Sequence, residues 1–156
     1  MQLNSNVFLG LSLWVASVSA IDIWFWTDRG CKGNGVRCSA INPGVCCTGP
    51  EGYDFGVSFL GIPLTWHIKC ASYINYDCRD LMSATDVRGV SWQCHDTSIY
   101  DSAQYTFVNN KRAEDADLEF GQPCEPGTSH RADTVVLGDG TMFDIGALAD
   151  DQWKEM

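Results

Sequence analysis

Three histidines, eight cysteines and six tryptophans carry most of the reactive and recognition chemistry of this 156-residue chain. Nucleophilic catalysis needs a nucleophile, a base and an orienting group that converge on one point. Cys94-His95-Asp96 has the residue types of such a triad. On a strand, however, sequence neighbours point to opposite faces, so these three cannot converge. His67, in Trp66-His67-Ile68, falls inside an expected strand and reads as a packed or rim side chain. The sequence has no Gly-x-Ser-x-Gly elbow, no His-Glu-x-x-His and no phosphate loop. A small secreted ribonuclease would combine an imidazole, a Glu and a cationic stabiliser. No spacing unites His67 or His95 with Arg79 or Arg88 in that way, and a formal net charge of −10 opposes capture of a polyanion. The expectation is a non-enzymatic protein with no catalytic residue, no metal site and no cofactor.

The cysteines point to scaffolding instead. Cys31, Cys38, Cys46, Cys47, Cys70, Cys78, Cys94 and Cys124 are separated by 6, 7, 0, 22, 7, 15 and 29 residues. These spacings contain no zinc-binding series of cysteine and histidine pairs. An even count in a secreted chain predicts four disulfides and no free thiol. Adjacent α-carbons lie about 3.8 Å apart, short of the roughly 4.4 to 6.8 Å of a disulfide, so Cys46 and Cys47 do not pair with each other. Of about 105 pairings of eight cysteines, about 90 survive that restriction, and spacing decides no further. On one strand Cys46 and Cys47 face opposite ways, which ties one segment to two different neighbours.

Secretion itself is read from the amino terminus. Val7 to Val18 is an uncharged 12-residue apolar run, followed by the small residues of Val18-Ser19-Ala20. This is the pattern of a signal peptide over 1–20, cleaved before Ile21 and leaving all eight cysteines in the secreted part. A membrane anchor over Val7 to Trp26 would carry Asp22 within its 20 residues, just where a strand-like pattern begins. No membrane insertion is expected after cleavage. The excess of 20 Asp+Glu over 10 Lys+Arg argues against nucleic acid or anionic membrane as the main partner. Acidity is concentrated late: 113–156 hold 11 acids and two bases, whereas 21–112 hold nine acids and eight bases. The organisation expected is a disulfide-rich domain over 21–124 and an acidic C-terminal extension over 125–156, in a monomer.

The elements that must position these residues are mostly strands. In Ile21 to Trp26, Ile21, Ile23 and Phe25 fall on one face, and Asp22, Trp24 and Trp26 on the other. Turns are expected at Thr27–Gly30 and again at Lys32–Gly35, whose Gly and Asn tolerate positive φ. Gly56–Leu60, Thr65–Tyr73 and Ser98–Val108 read as further strands, and Thr134–Ile145 as a hairpin around Gly138-Asp139-Gly140. Ala149–Met156 reads as a short helix with acids in its first turn. Many short strands divided by Gly and Pro turns predict a mostly-β sandwich of short antiparallel strands. Trp24, Trp26, Trp66 and Trp92 are either core aromatics or a platform for a protein or sugar partner.

Trp26-Thr-Asp-Arg-Gly-Cys31-Lys-Gly33 resembles the Greek-key signature of the βγ-crystallin-like fold, with Cys31 where that signature has an aromatic residue. Tyr73 to Asp80 is similar to a second copy, with Asp80 in place of the glycine. The run from Ile23 through Cys47 and on to Pro63 also resembles small cysteine-rich secreted proteins of filamentous fungi. Some of these are crystallin-like or killer-toxin-like, and some act as effectors on plant hosts. The resemblance implies a secreted fungal effector, delivered to a host and directed at a host protein or glycan. Its alternatives are a toxin against competing microbes and a small secreted hydrolase. The run Asn109-Asn110-Lys111-Arg112 lacks the calcium pattern of crystallins, so calcium is not expected.

Overall fold

Strict alternation makes the first strand. In β1 (Ile21–Asp28), Ile21, Ile23 and Phe25 are buried in the core, while Asp22, Trp24 and Trp26 share the opposite face as expected. The computed structural model describes residues 20–50, 55–108, 129–149 and 152–153. The expected signal peptide, apart from Ala20, therefore lies outside the described residues, as do Asn109-Asn110 and Cys124. After β1 come β2 (Lys32–Ile41), β3 (Cys46–Thr48), β4 (Gly56–Leu60), β5 (His67–Tyr73), β6 (Leu81–Arg88) and β7 (Trp92–His95). They are followed by β8 (Ser102–Phe107), β9 (Ser129–Arg131), β10 (Thr134–Val136) and β11 (Met142–Asp144). Among the described residues only Gln152 and Trp153 are helical, and Trp153 N bonds Ala149 O at 3.0 Å.

The strands form two sheets. Sheet A runs in the order β11-β10-β2-β1-β4-β7, and sheet B in the order β6-β5-β8-β3-β9. Every pairing is antiparallel except β3 with β9. One core lies between the sheets, joining Ile23, Phe25 and Phe59 of sheet A to Ile68, Cys70 and Tyr105 of sheet B. The fold is the expected mostly-β sandwich. Cys46 and Cys47 face opposite ways, as their adjacency requires. Cys47 points into the core and bonds Cys38 of β2, which staples the sheets together. Cys46 belongs to a second buried cluster with Ala71, Tyr73 and Cys78, and bonds Cys78. Cys31–Cys94 ties the β1–β2 turn to β7.

Three expectations change. The turn read at Lys32–Gly35 is the start of β2; the chain reverses at Arg29–Cys31, and within 32–35 Gly33 keeps the expected positive φ, at 93°. A Cβ on Gly35 would lie 2.3 Å from the Phe25 carbonyl oxygen, so only glycine lets β2 approach β1 there. The segment Tyr73 to Asp80 runs from the end of β5 through the turn to β6, and Cys78 there takes a φ of 56° as Cys31 takes 53° in the turn between β1 and β2. The 125–156 extension is no appendage: β10 pairs with β2, β9 pairs with β3, and the β10–β11 hairpin completes the edge of sheet A. Cutting it away would strip β10 and β11 from sheet A and β9 from sheet B. Finally, the described residues hold three disulfides, and Cys70 is a free, fully buried thiol. It sits on β5 facing the core, opposite Thr85 and Tyr105, where no described cysteine reaches it.

The buried Cys70 thiol is inert. Burial pushes its pKa up to about 12, and the Asp86 charge adds to the effect. Iodoacetamide should therefore leave Cys70 untouched in the native protein and modify it in denaturant without reductant. Peptide mapping that finds Cys70 unmodified after denaturation would show it to be oxidised and overturn the assignment.

Candidate functional site

The outer face of sheet A carries the densest recognition chemistry. The register aligns Trp24 with Arg37 on one side and Ser58 on the other, and Arg37 in turn with Thr134. Trp26 is flanked by two glycines, Gly35 and Gly56, so its indole can lie flat across the sheet. Trp24 and Trp26 stack with centroids 5.1 Å apart and planes 17° from parallel. The Arg37 guanidinium lies over Trp24 at 5.5 Å, within the range of cation–π attraction. Trp26 Nε1 donates to Ser58 Oγ at 2.8 Å. The result is a layered Arg–Trp–Trp stack built on alternate residues of β1 and β2.

Beyond Arg37 the face opens into two clefts that share Asp133 as a wall. One, of about 490 Å³, is lined by Arg37, Ser39, Asp133, Thr134, Met142 and Asp144. The other, of about 550 Å³, includes His130, Arg131, Ile145 and Trp153, with Arg131 stacked over Trp153 at 5.5 Å. Asp133 organises both. Its carboxylate accepts from Ser39 N and Ser39 Oγ at 2.8 Å each, from Thr134 Oγ1 at 2.7 Å and from His130 Nε2 at 3.1 Å. Partial burial works against its charge, but the hydrogen bonds from Thr134, Ser39 and His130 outweigh it and hold the carboxyl below its ordinary pKa. Asp133 is thus a fixed anionic anchor, with its lone pairs engaged, and not a proton shuttle.

Arg37 is held less completely. It donates Nη2 to Thr134 Oγ1 at 3.3 Å and lies 3.6 Å from Asp22. Its Nε, and the Nε1 of neighbouring Trp24, are buried without a hydrogen-bond partner among the described residues. Two donor-only groups left unpaired side by side are uncommon in a folded protein.

The structure separates the four tryptophans singled out from sequence. Trp24 and Trp26 share the stack. Trp92, 49% exposed at the β7 edge, lies on the same outer face, opposite Leu60. Trp66 instead packs against Tyr105 and Phe107 at the rim of the core, so it is no part of the platform. His67 stands on β5 without approaching this face. His95 is buried between the sheets, its Nδ1 2.8 Å from Ser72 Oγ and its Nε2 3.2 Å from Thr85 Oγ1. A Ser–His pair enclosed in that way is a structural link. Sequence reasoning passed over Arg37, Ser39, Asp133, Thr134 and Asp144. Only the alternation of β2, which sets Arg37 beside Trp24, could have flagged the first of them.

The family described as ARB_05566_N, N-terminal domain, matches residues 22–133, from β1 through the anchoring Asp133. No curated protein and no solved structure matches the chain.

Proposed function

The chain belongs to the ARB_05566_N N-terminal-domain family, and we propose that it is a secreted, non-enzymatic binding protein, a fungal effector acting on a host molecule. The observation that supports this reading is the Arg37–Trp24–Trp26 stack opening onto the Asp133 clefts. Tryptophan and arginine dominate binding hot spots because they combine large contact area with directional donors. The same residues supply no nucleophile paired with a base: Ser39 and Thr134 direct their hydroxyl protons to Asp133, which cannot relay them. Three disulfides among the described residues support an oxidising, extracellular destination. The Greek-key resemblance gains support at Gly33, whose φ of 93° lies beneath the Asp28 and Thr27 side chains. The partner is a host protein or glycan met on the outer face of sheet A.

Binding of the purified chain to host extract, immobilised and scored by dissociation constant, tests this. Trp26→Ala should weaken capture about 10-fold or more. His67→Ala, remote from the face, should not. An unchanged dissociation constant for folded Trp26→Ala removes the surface from the proposal. Loss of function with folded His67→Ala, or turnover of RNA or glycan by the wild type, moves the protein to the hydrolases. Growth inhibition of microbes without host binding moves it to the toxins.

A further inference from the structure

We propose that the cleft between Arg37, Thr134 and Asp144 binds a neutral oligosaccharide. This rests on the binding-protein reading and specifies its ligand. At about 490 Å³ the cleft lies within the roughly 300 to 1,000 Å³ of small-molecule sites. Arg37 lines it with a side chain 23% exposed, stacked over the Trp24 indole, and its buried Nε and the Trp24 Nε1 lack a hydrogen-bond partner among the described residues. A guanidinium can only donate, so what its exposed part can take from the cleft is an acceptor oxygen.

Charge decides which kind of oxygen. Around the single Arg37 guanidinium stand three carboxylates, those of Asp22, Asp133 and Asp144. An incoming carboxylate, sulfate or phosphate would meet net like charge, whereas a hydroxyl or amide oxygen meets none. The remaining lining offers what a polyhydroxylated ring requires. Asp144 accepts from Gly146 N at 2.9 Å and keeps capacity for a hydroxyl proton. Ser39 Oγ, having given its proton to Asp133, is left to accept. Met142, 49% exposed, gives an apolar wall for the C–H face of a sugar ring. Donors, acceptors and an apolar wall around one small space match groups that donate and accept at once, as hydroxyls do.

The purified chain should be titrated with cellohexaose, chitohexaose and mannohexaose, and with an oligogalacturonate of equal length as the anionic counterpart. Saturable binding of at least one neutral oligosaccharide is expected, with weaker binding of the oligogalacturonate. Asp144→Ala and Arg37→Met should each weaken binding about 10-fold. Asp144 is exposed, so its variant should retain the wild-type unfolding temperature even if Arg37→Met does not. The proposal is overturned if none of the three neutral sugars binds, if the oligogalacturonate binds more tightly, or if folded Asp144→Ala binds as well as wild type. Release of shorter sugars during titration would overturn the non-enzymatic reading while upholding the ligand class.

Discussion

Serine at both Cys46 and Cys47 should leave no folded protein to secrete. The two residues occupy adjacent positions on β3 yet close loops on opposite sides of sheet B. Cys38–Cys47 encloses a separation of nine residues and Cys46–Cys78 one of 32. In the chain-entropy account these loops are worth about 3 and about 4 kcal/mol. The combined loss, about 6 to 7 kcal/mol, reaches into the roughly 5 to 15 kcal/mol that holds a typical domain together. The structural consequences exceed the loop entropy. Without Cys38–Cys47 the sheets lose their one described covalent staple through the core, and without Cys46–Cys78 the loop after β5 loses its tether. Each single serine variant should fold with reduced stability, Cys46→Ser the weaker by about 1 kcal/mol. Secreted yield and denaturant unfolding of the three variants measure this. A double variant secreted at wild-type yield, with its unfolding midpoint unmoved, would refute the staple role.

How far the sequence discloses this molecule depends on whether the signal is local. β1 is legible because its alternation of Ile21, Ile23 and Phe25 against Trp24 and Trp26 is set by one strand and one core. The opposed directions of Cys46 and Cys47 follow from the period of two, and the Thr134–Ile145 hairpin from its Gly-Asp-Gly turn. β2 is not legible, since Gly33 and Gly35 signal a turn when read locally, and only the approach of Phe25 to Gly35 and of Asp28 and Thr27 to Gly33 shows why glycine is needed there. β6 escapes because its outward residues Leu81 and Met82 are as apolar as its inward Val87. The clefts are the extreme case. Asp133 reaches Ser39 across 94 positions, and acidity near the end of the chain reads as a solvated tail until β10 docks on β2. Composition likewise suggests complete pairing of the cysteines, whereas Cys70 is a small core side chain that the packing of β5, β6 and β8 encloses.

Acid should loosen the sandwich through a single imidazole. His95 at the end of β7 reaches from sheet A to Ser72 on β5 and Thr85 on β6, with the Phe59 ring 5.5 Å away. Burial lowers its pKa to about 4, the Asp96 charge offsetting part of the effect. In the unfolded chain the same imidazole takes up its proton near the ordinary value of 6.5. Between those values the unfolded state binds the extra proton, so stability rises with pH. The contribution is complete above pH 6.5 and is lost as the pH falls toward 4, a difference of about 3 kcal/mol. Asp133, held below its ordinary 3.8, acts in the same direction in a lower window, because its contribution persists until the pH drops beneath that value. The two effects are therefore separable on one titration. Denaturant unfolding at intervals from pH 7 to pH 4 should show the decline in wild type. His95→Gln keeps a hydrogen-bonding side chain in place but cannot be protonated, so its profile should be nearly flat over that range. A wild-type profile as flat as that of His95→Gln would mean that His95 is not buried as a neutral link. Because β7 also carries Trp92 and Cys94, the strand that His95 anchors borders the outer face on which the tryptophans stand.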